Sequence, residues 1–106
     1  MKETPNLKYL DELAGGDETF RQKFIGILKE EFPDEVCQYE RNIEKSNLLE
    51  ASQDVHKIKH KINVLGLHEA YQLAVRHEGG LRNRENLDHK SFMLVLKEIE
   101  AYLKTI

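Results

Sequence analysis

The stretch that decides the fold is LLEASQDVHKIKHKINVLG, residues 48–66. Its apolar residues recur at intervals of three and four, the spacing that places side chains on one face of an α-helix. These residues are Ala51, Val55, Ile58, Ile62 and Leu65. The spacing predicts a helix over about residues 48–65. Gly66 follows it, and glycine readily adopts the left-handed conformation in which many helices end.

Helical spacing continues toward the N-terminus. Asn6 is expected to cap a short first helix that ends at Gly15-Gly16. Asp17 is expected to start a long second helix, in which Pro33 predicts a kink or a brief break near Phe32. The inward face of that helix is predicted to begin with Phe20, Phe24, Ile27 and Leu28, and the single cysteine, Cys37, to lie at a helix boundary.

Toward the C-terminus, the pattern predicts a helix over residues 68–81, with His77 packed inside, and a last helix capped by Asp88. His68 and His89 are expected to be structural or solvated. Short connections between long helices favour antiparallel neighbours. We therefore predict an all-α protein, an antiparallel four-helix bundle with a short additional N-terminal helix, forming one domain over residues 1–106.

Composition narrows the functional classes. The 106 residues carry 16 basic and 19 acidic side chains, a net charge of −3, which weighs against general nucleic-acid binding. No apolar run approaches the roughly 18–20 residues that cross a bilayer, so no membrane association is expected. Cys37 has no second cysteine with which to form an internal disulfide, so nothing argues for secretion. We expect a cytoplasmic protein.

The other face of the 48–65 helix carries the functional argument. His56, Lys59, His60 and Asn63 lie on nearly the opposite side from the apolar stripe, so His56 is expected to face water. An exposed imidazole that is partly unprotonated at neutral pH is a good nucleophile. A lysine one turn away can hold the oxygens of an anion attached to it. This face predicts a histidine that carries a negatively charged group, and phosphoryl is the obvious candidate.

These residues resemble the histidine-containing phosphotransfer domains of bacterial and eukaryotic phosphorelays. The family signature is a histidine, an apolar residue two positions on, a lysine next, and a Leu-Gly pair that ends the helix. Here it reads His56-Lys57-Ile58-Lys59-His60 and then Leu65-Gly66. YLDELAGGDETFRQKF resembles the family's N-terminal helix and turn, and the proline in KEEFPDEV is a common family feature. The resemblance covers about residues 7–103.

The resemblance implies a phosphocarrier. His56 would accept phosphoryl from an aspartyl phosphate on a response-regulator receiver domain and pass it to another receiver, with Lys59 stabilising the phosphoryl group. The receivers, of a hybrid histidine kinase and a downstream regulator, would supply Mg²⁺. The chain itself would need no cofactor and have no ATP-dependent kinase activity. A free-standing monomer is the family-like expectation.

One departure concerns the residues after the lysine. The family usually has glycine where this chain has His60, and a small residue where it has Lys61. His60 could crowd a partner or donate a hydrogen bond to the phosphoryl oxygens, which makes it a candidate tuning residue.

The partner surface is predicted on the second and third helices. The cluster from Lys57 to Lys61 would steer an acidic receiver pocket toward His56. Asn63 and Val64 lie on the open side of the third helix, and Ile25 and Phe32 fall outside the predicted inward stripe of the second. The alternative for Ile25 and Phe32 is that a wide core face absorbs them.

Two other functional interpretations stay open. His56 and His60, at positions i and i+4, could bind a transition metal, although two histidines alone make a weak site. The chain could also be a bundle that binds receivers without accepting phosphate, and the presence of His60 is the reason to consider this.

Overall fold

The computed structural model describes residues 3–106, so the first two residues of the predicted domain lie outside it. Within that range the chain forms five helices and no strand. They are α1 (Lys8–Ala14), α2 (Glu18–Glu44), α3 (Leu48–Val64), α4 (His68–Arg82) and α5 (His89–Leu103). The helices α2 to α5 pack in a ring, each against the next and α5 against α2, while α1 packs on α2. The all-α four-helix bundle with a short N-terminal helix is therefore confirmed.

The helix ends follow local chemistry that the sequence indicates. The Asp17 side chain accepts a hydrogen bond from the Phe20 amide at 3.0 Å and caps α2. Gly15 (φ 55°) and Gly66 (φ 77°) have the left-handed conformation after α1 and α3. Asp88 precedes α5, but its carboxylate binds Arg76 Nε at 2.9 Å and caps no backbone amide. The predicted roles of Asp17 and of the two glycines are right, whereas α1 has Leu7 and not Asn6 at its N-cap, and the capping role of Asp88 is wrong.

The α2 helix corrects three sequence predictions. It runs without a break through Pro33, so the alternative of a break near Phe32 is wrong, while a kink stays a prediction. Pro33 and Lys29 are both exposed, so water can solvate the carbonyl that the proline leaves without a donor. Cys37 is exposed in the middle of this helix and does not lie at a boundary. The buried stripe is also rotated from the predicted one; its residues are Ile25, Leu28, Phe32, Val36, Tyr39 and Asn42.

Because of that rotation, Ile25 and Phe32 are part of the core and Phe20 and Ile27 are exposed. The prediction that Ile25 and Phe32 are exposed docking contacts is therefore wrong. The physical reason is that α3 and α5 cover the face of α2 that continues the Val36–Tyr39 stripe. Only the wide-core alternative agrees with their burial.

Ile25 and Ile27 provide a matched pair that tests this register. Ile25 is 7 % exposed and Ile27 is 41 % exposed on the same helix. We expect Ile25→Ala to lower the free energy of unfolding by about 2 kcal/mol through lost burial and a cavity, and Ile27→Ala by less than about 0.5 kcal/mol. Urea denaturation of both variants measures the difference. Equal losses would contradict the register of α2.

A polar cluster lies within the core of the bundle, against the ring of Phe92. The Tyr39 hydroxyl lies 2.6 Å from His77 Nε2 and 2.8 Å from His89 Nδ1, so it donates to one ring and accepts from the other. It joins α2, α4 and α5. Burial, with a smaller contribution from the neighbouring His89, lowers the pKa of His77 to about 4 despite the opposing charge of Asp88. The predicted inward packing of His77 is confirmed.

This cluster predicts acid sensitivity. In the unfolded chain a histidine binds its proton near pH 6.5, but folded His77 resists protonation until about pH 4. Between those values the unfolded state binds more protons, so stability falls as pH falls. We expect a loss of up to about 3 kcal/mol across that window. Denaturant titrations at a series of pH values measure it. The slope should be shallower in His77→Gln, which retains an amide that can bond to Tyr39, and an unchanged slope would contradict this account.

Candidate functional site

The site lies on the outer side of α3, where its side chains approach α4. The His56 side chain is 51 % exposed, as predicted, and Lys57, His60 and Asn63 are also exposed. Lys59 differs from the prediction, because its side chain is only 14 % exposed and turns toward α4. An acidic residue on that helix explains the difference.

Glu78 of α4 is the residue that organises the site. Its side chain is 5 % exposed, and its Oε2 lies 3.1 Å from His56 Nδ1. Lys59 Nζ lies 2.8 Å from Oε1, in an ion contact that lacks the direction of a hydrogen bond. Arg82, one turn further along α4, donates to Oε2 at 2.6 Å. One buried carboxylate therefore holds the imidazole and two cations.

The sequence contains a signal for Glu78 that the motif analysis missed. Ala74, His77 and Leu81 form the inward stripe of α4, and Glu78 falls within that stripe. A glutamate on an otherwise buried helix face is seldom left unpaired. The sequence alone does not show which cation pairs with it, because the register between α3 and α4 comes from packing.

Electrostatics keep the Glu78 carboxylate ionised. Burial raises its pKa, but the contacts with Lys59, His56 and Arg82 act in the other direction and hold the pKa below its ordinary value. An ionised carboxylate can only accept hydrogen bonds, so Nδ1 of His56 carries the proton. When the ring is neutral, Nε2 has the free lone pair, and this nitrogen forms no hydrogen bond within residues 3–106. Nε2 is therefore the ring nitrogen of His56 that remains available for a bond to another molecule.

His60 lies against His56 on the same face. The two ring centroids are 5.0 Å apart, and the ring planes are perpendicular. Helical side chains lean toward the N-terminus, so the ring of His60 covers the turn that contains His56. A glycine at this position would leave that space open.

The predicted basic cluster is smaller than expected. Lys61 turns toward α2, where Glu31 and Glu35 each lie 3.0 Å from its Nζ. Burial lowers the pKa of Lys61, but these two carboxylates outweigh it and raise the pKa above its ordinary value. Lys61 is therefore a charged link between α2 and α3, and the prediction that its charge is free to steer a partner is wrong.

The other residues that were predicted to contact a partner differ in their exposure to solvent. Lys57 and Asn63 are open to solvent, and Val64 is half-buried. Ile25 and Phe32 lie in the core, as described above. The surface around His56 is therefore formed by α3 and the adjoining side of α4.

Residues 3–106 contain no group of three or more histidine, cysteine, aspartate or glutamate side chains arranged to hold a metal ion. None of the helices in this range is both long and apolar enough to cross a membrane. Comparison with protein-family models, with curated proteins and with solved structures finds no match.

Proposed function

We propose that the chain is a phosphoryl carrier in which Nε2 of His56 accepts phosphoryl from an aspartyl phosphate of a receiver domain and passes it to a second receiver. The observation that carries this proposal is the contact between Nδ1 of His56 and the buried, ionised Glu78. It supports the proposal because it leaves the other nitrogen unprotonated on an exposed ring.

The transfer step balances without a proton leaving the site. The lone pair of Nε2 attacks phosphorus, the N–P bond forms, and the P–O bond to the aspartate breaks with its electron pair on the carboxylate. The imidazole becomes positively charged because Nδ1 keeps its proton. Glu78 lies 3.1 Å from that nitrogen and stabilises the charge. The reverse attack, by a second receiver's carboxylate, returns the imidazole to its neutral form.

The charges around His56 suit an anionic adduct. Lys59 and Arg82 share one carboxylate, so the cluster has one positive charge in excess before phosphoryl arrives. A phosphoryl group carries negative charge and strong acceptor oxygens to the same place. In this proposal Lys59 turns from Glu78 to the phosphoryl oxygens when they are present. Mg²⁺ belongs to the receiver domain.

A second candidate is a bundle that binds receivers without accepting phosphate. The ring of His60 favours it, because it lies 5.0 Å from the ring of His56 where the phosphotransfer family has an open space. In this candidate the ring obstructs the approach of the receiver's aspartyl phosphate.

The test uses a panel of receiver domains charged with radiolabelled phosphate. We expect label to pass to the chain, to be labile in acid and stable in alkali, and to map to His56. Phosphoramidate, a small donor that needs no docking, tests the imidazole separately. Labelling by phosphoramidate without transfer from any bound receiver would favour the second candidate. Absence of labelling by either donor would overturn both the proposed acceptor and the proposed mechanism.

A further inference from the structure

The pair of exposed imidazoles on α3 has the arrangement of a chelating site. His56 and His60 are separated by one helical turn, their rings are 5.0 Å apart, and both side chains are open to solvent. The lean of helical side chains brings the ring of His60 over that of His56. Both rings can therefore offer a nitrogen to the same point in the solvent.

The separation of the rings fits a single ion. A zinc–nitrogen bond is ~2.0–2.1 Å and the ring centre lies ~1.1 Å behind the nitrogen, so each ring centre is ~3.2 Å from a bound ion. Two such rings at a tetrahedral angle have centres ~5.2 Å apart, and at a right angle ~4.5 Å apart. The observed 5.0 Å lies between these values. The spacing of the two rings is therefore compatible with one shared ion.

Glu78 supplies the support that a metal-binding histidine usually has. Such histidines donate their second ring N–H to a carboxylate or carbonyl, which fixes the ring and directs the other nitrogen to the metal. Here Nδ1 of His56 contacts Glu78 at 3.1 Å, and Nε2 forms no hydrogen bond within residues 3–106. The same carboxylate also pairs with Lys59 and Arg82, so one positive charge remains beside His56 and weakens the binding of a cation there.

We propose that His56 and His60 bind one transition-metal ion of the Cu²⁺ or Zn²⁺ class through their outward nitrogens, with water completing its coordination. No third histidine, cysteine or carboxylate of residues 3–106 joins the pair, so the site is open and its affinity is low. Cu²⁺ should bind more tightly than Zn²⁺, following the usual order for nitrogen ligands. If His56 is also the phosphoacceptor, as proposed above, metal and phosphoryl compete for Nε2; this consequence rests on the proposed function.

Calorimetric titration with Zn²⁺ and with Cu²⁺ at about pH 7.5 tests the site directly, because imidazole is largely unprotonated there. All proteins carry Cys37→Ser, since the exposed thiol would otherwise bind or reduce the metal. We expect one ion per chain, and affinity lowered at least about tenfold in His56→Gln and in His60→Gln, because each loses a tethered second ligand. His68→Gln removes an exposed histidine from the start of α4 and should bind like its parent.

Binding that survives in His60→Gln with unchanged affinity would overturn the proposal, as would equal weakening in His68→Gln. Competition has its own readout, the ratio of phosphoramidate labelling without metal to labelling with saturating Zn²⁺. Measured at the Zn²⁺ concentration that just fills the site of the parent, this ratio should be clearly larger in the parent than in His60→Gln. If His56 is not labelled even without metal, the proposed function fails while the calorimetric result on the metal site stands.

Discussion

His56→Gln is expected to reduce phosphoryl transfer from a charged receiver by at least about a thousandfold, the range in which loss of a nucleophile falls. The amide of glutamine is close to imidazole in size but has no lone pair basic enough to attack phosphorus. His56 is half exposed and contributes little to the core, so the variant should stay folded. Gel electrophoresis of the labelled proteins measures the transfer, and circular dichroism verifies the fold.

Two further variants make this result specific. His68→Gln, at another exposed histidine, should transfer like the parent. His60→Gly restores the open space that the ring of His60 occupies, at a cost of about 1 kcal/mol for a glycine inside a helix. Faster transfer in His60→Gly would show that this ring slows the approach of the receiver. Label that persists in His56→Gln would place the acceptor on another residue and contradict the proposed role of His56.

Glu78→Ala is expected to lower the rate of transfer to His56 by about a hundredfold, within the range that a positioned acid–base or electrostatic partner contributes. The variant removes the acceptor that keeps the proton on Nδ1, and it removes the negative charge that stabilises the phosphorylated ring. It also leaves Lys59, largely buried, without its anion. We therefore expect the free energy of unfolding to fall by about 2–3 kcal/mol.

Glu78→Gln separates the two effects of that carboxylate. Its amide oxygen can still accept the Nδ1–H bond, but the negative charge is gone. We expect a smaller loss of transfer than in Glu78→Ala, and a nitrogen NMR spectrum of His56 that still shows the proton on Nδ1. Assays below the unfolding transition of each variant ensure that differences in stability do not affect the measured rate of transfer. If transfer in Glu78→Ala equals that of the parent, Glu78 has only a structural role.

Local sequence was enough to predict the helices and most of their ends. The three-and-four spacing of Val55, Ile58 and Ile62 specifies a helix and its buried face without reference to any partner. Gly66 is predicted to be left-handed because few other residues adopt that conformation. Ile25 and Phe32 could not be placed in the same way. The apolar residues of α2 are spread around the helix, and the positions of the helices that pack on it, α1, α3 and α5, decide which of them are buried.

The candidate site was likewise predictable where it depends on local sequence and not where it depends on how the helices pack. The exposure of His56 follows from its place opposite the apolar stripe of its own helix, which is local information. The contacts of Lys59 and Lys61 depend on the acidic residues of α4 and α2, which lie 19 and 26 positions away in the chain or further. Charge pairing over such separations is set by how helices pack, and the helical spacing of one segment carries no information about it.

The placement of Glu78 has a kinetic consequence for any molecule that binds the surface around His56. His56, Lys59, His60 and Glu78 lie on two adjacent helices joined by only three residues, 65–67, and their contacts already exist in the free protein. Binding of a partner therefore requires neither the ordering of a loop nor the closure of a domain. Its association rate should lie in the usual range for preformed protein surfaces, about 10⁵–10⁷ M⁻¹ s⁻¹, and variants on this face should change how long the complex lasts far more than how fast it forms.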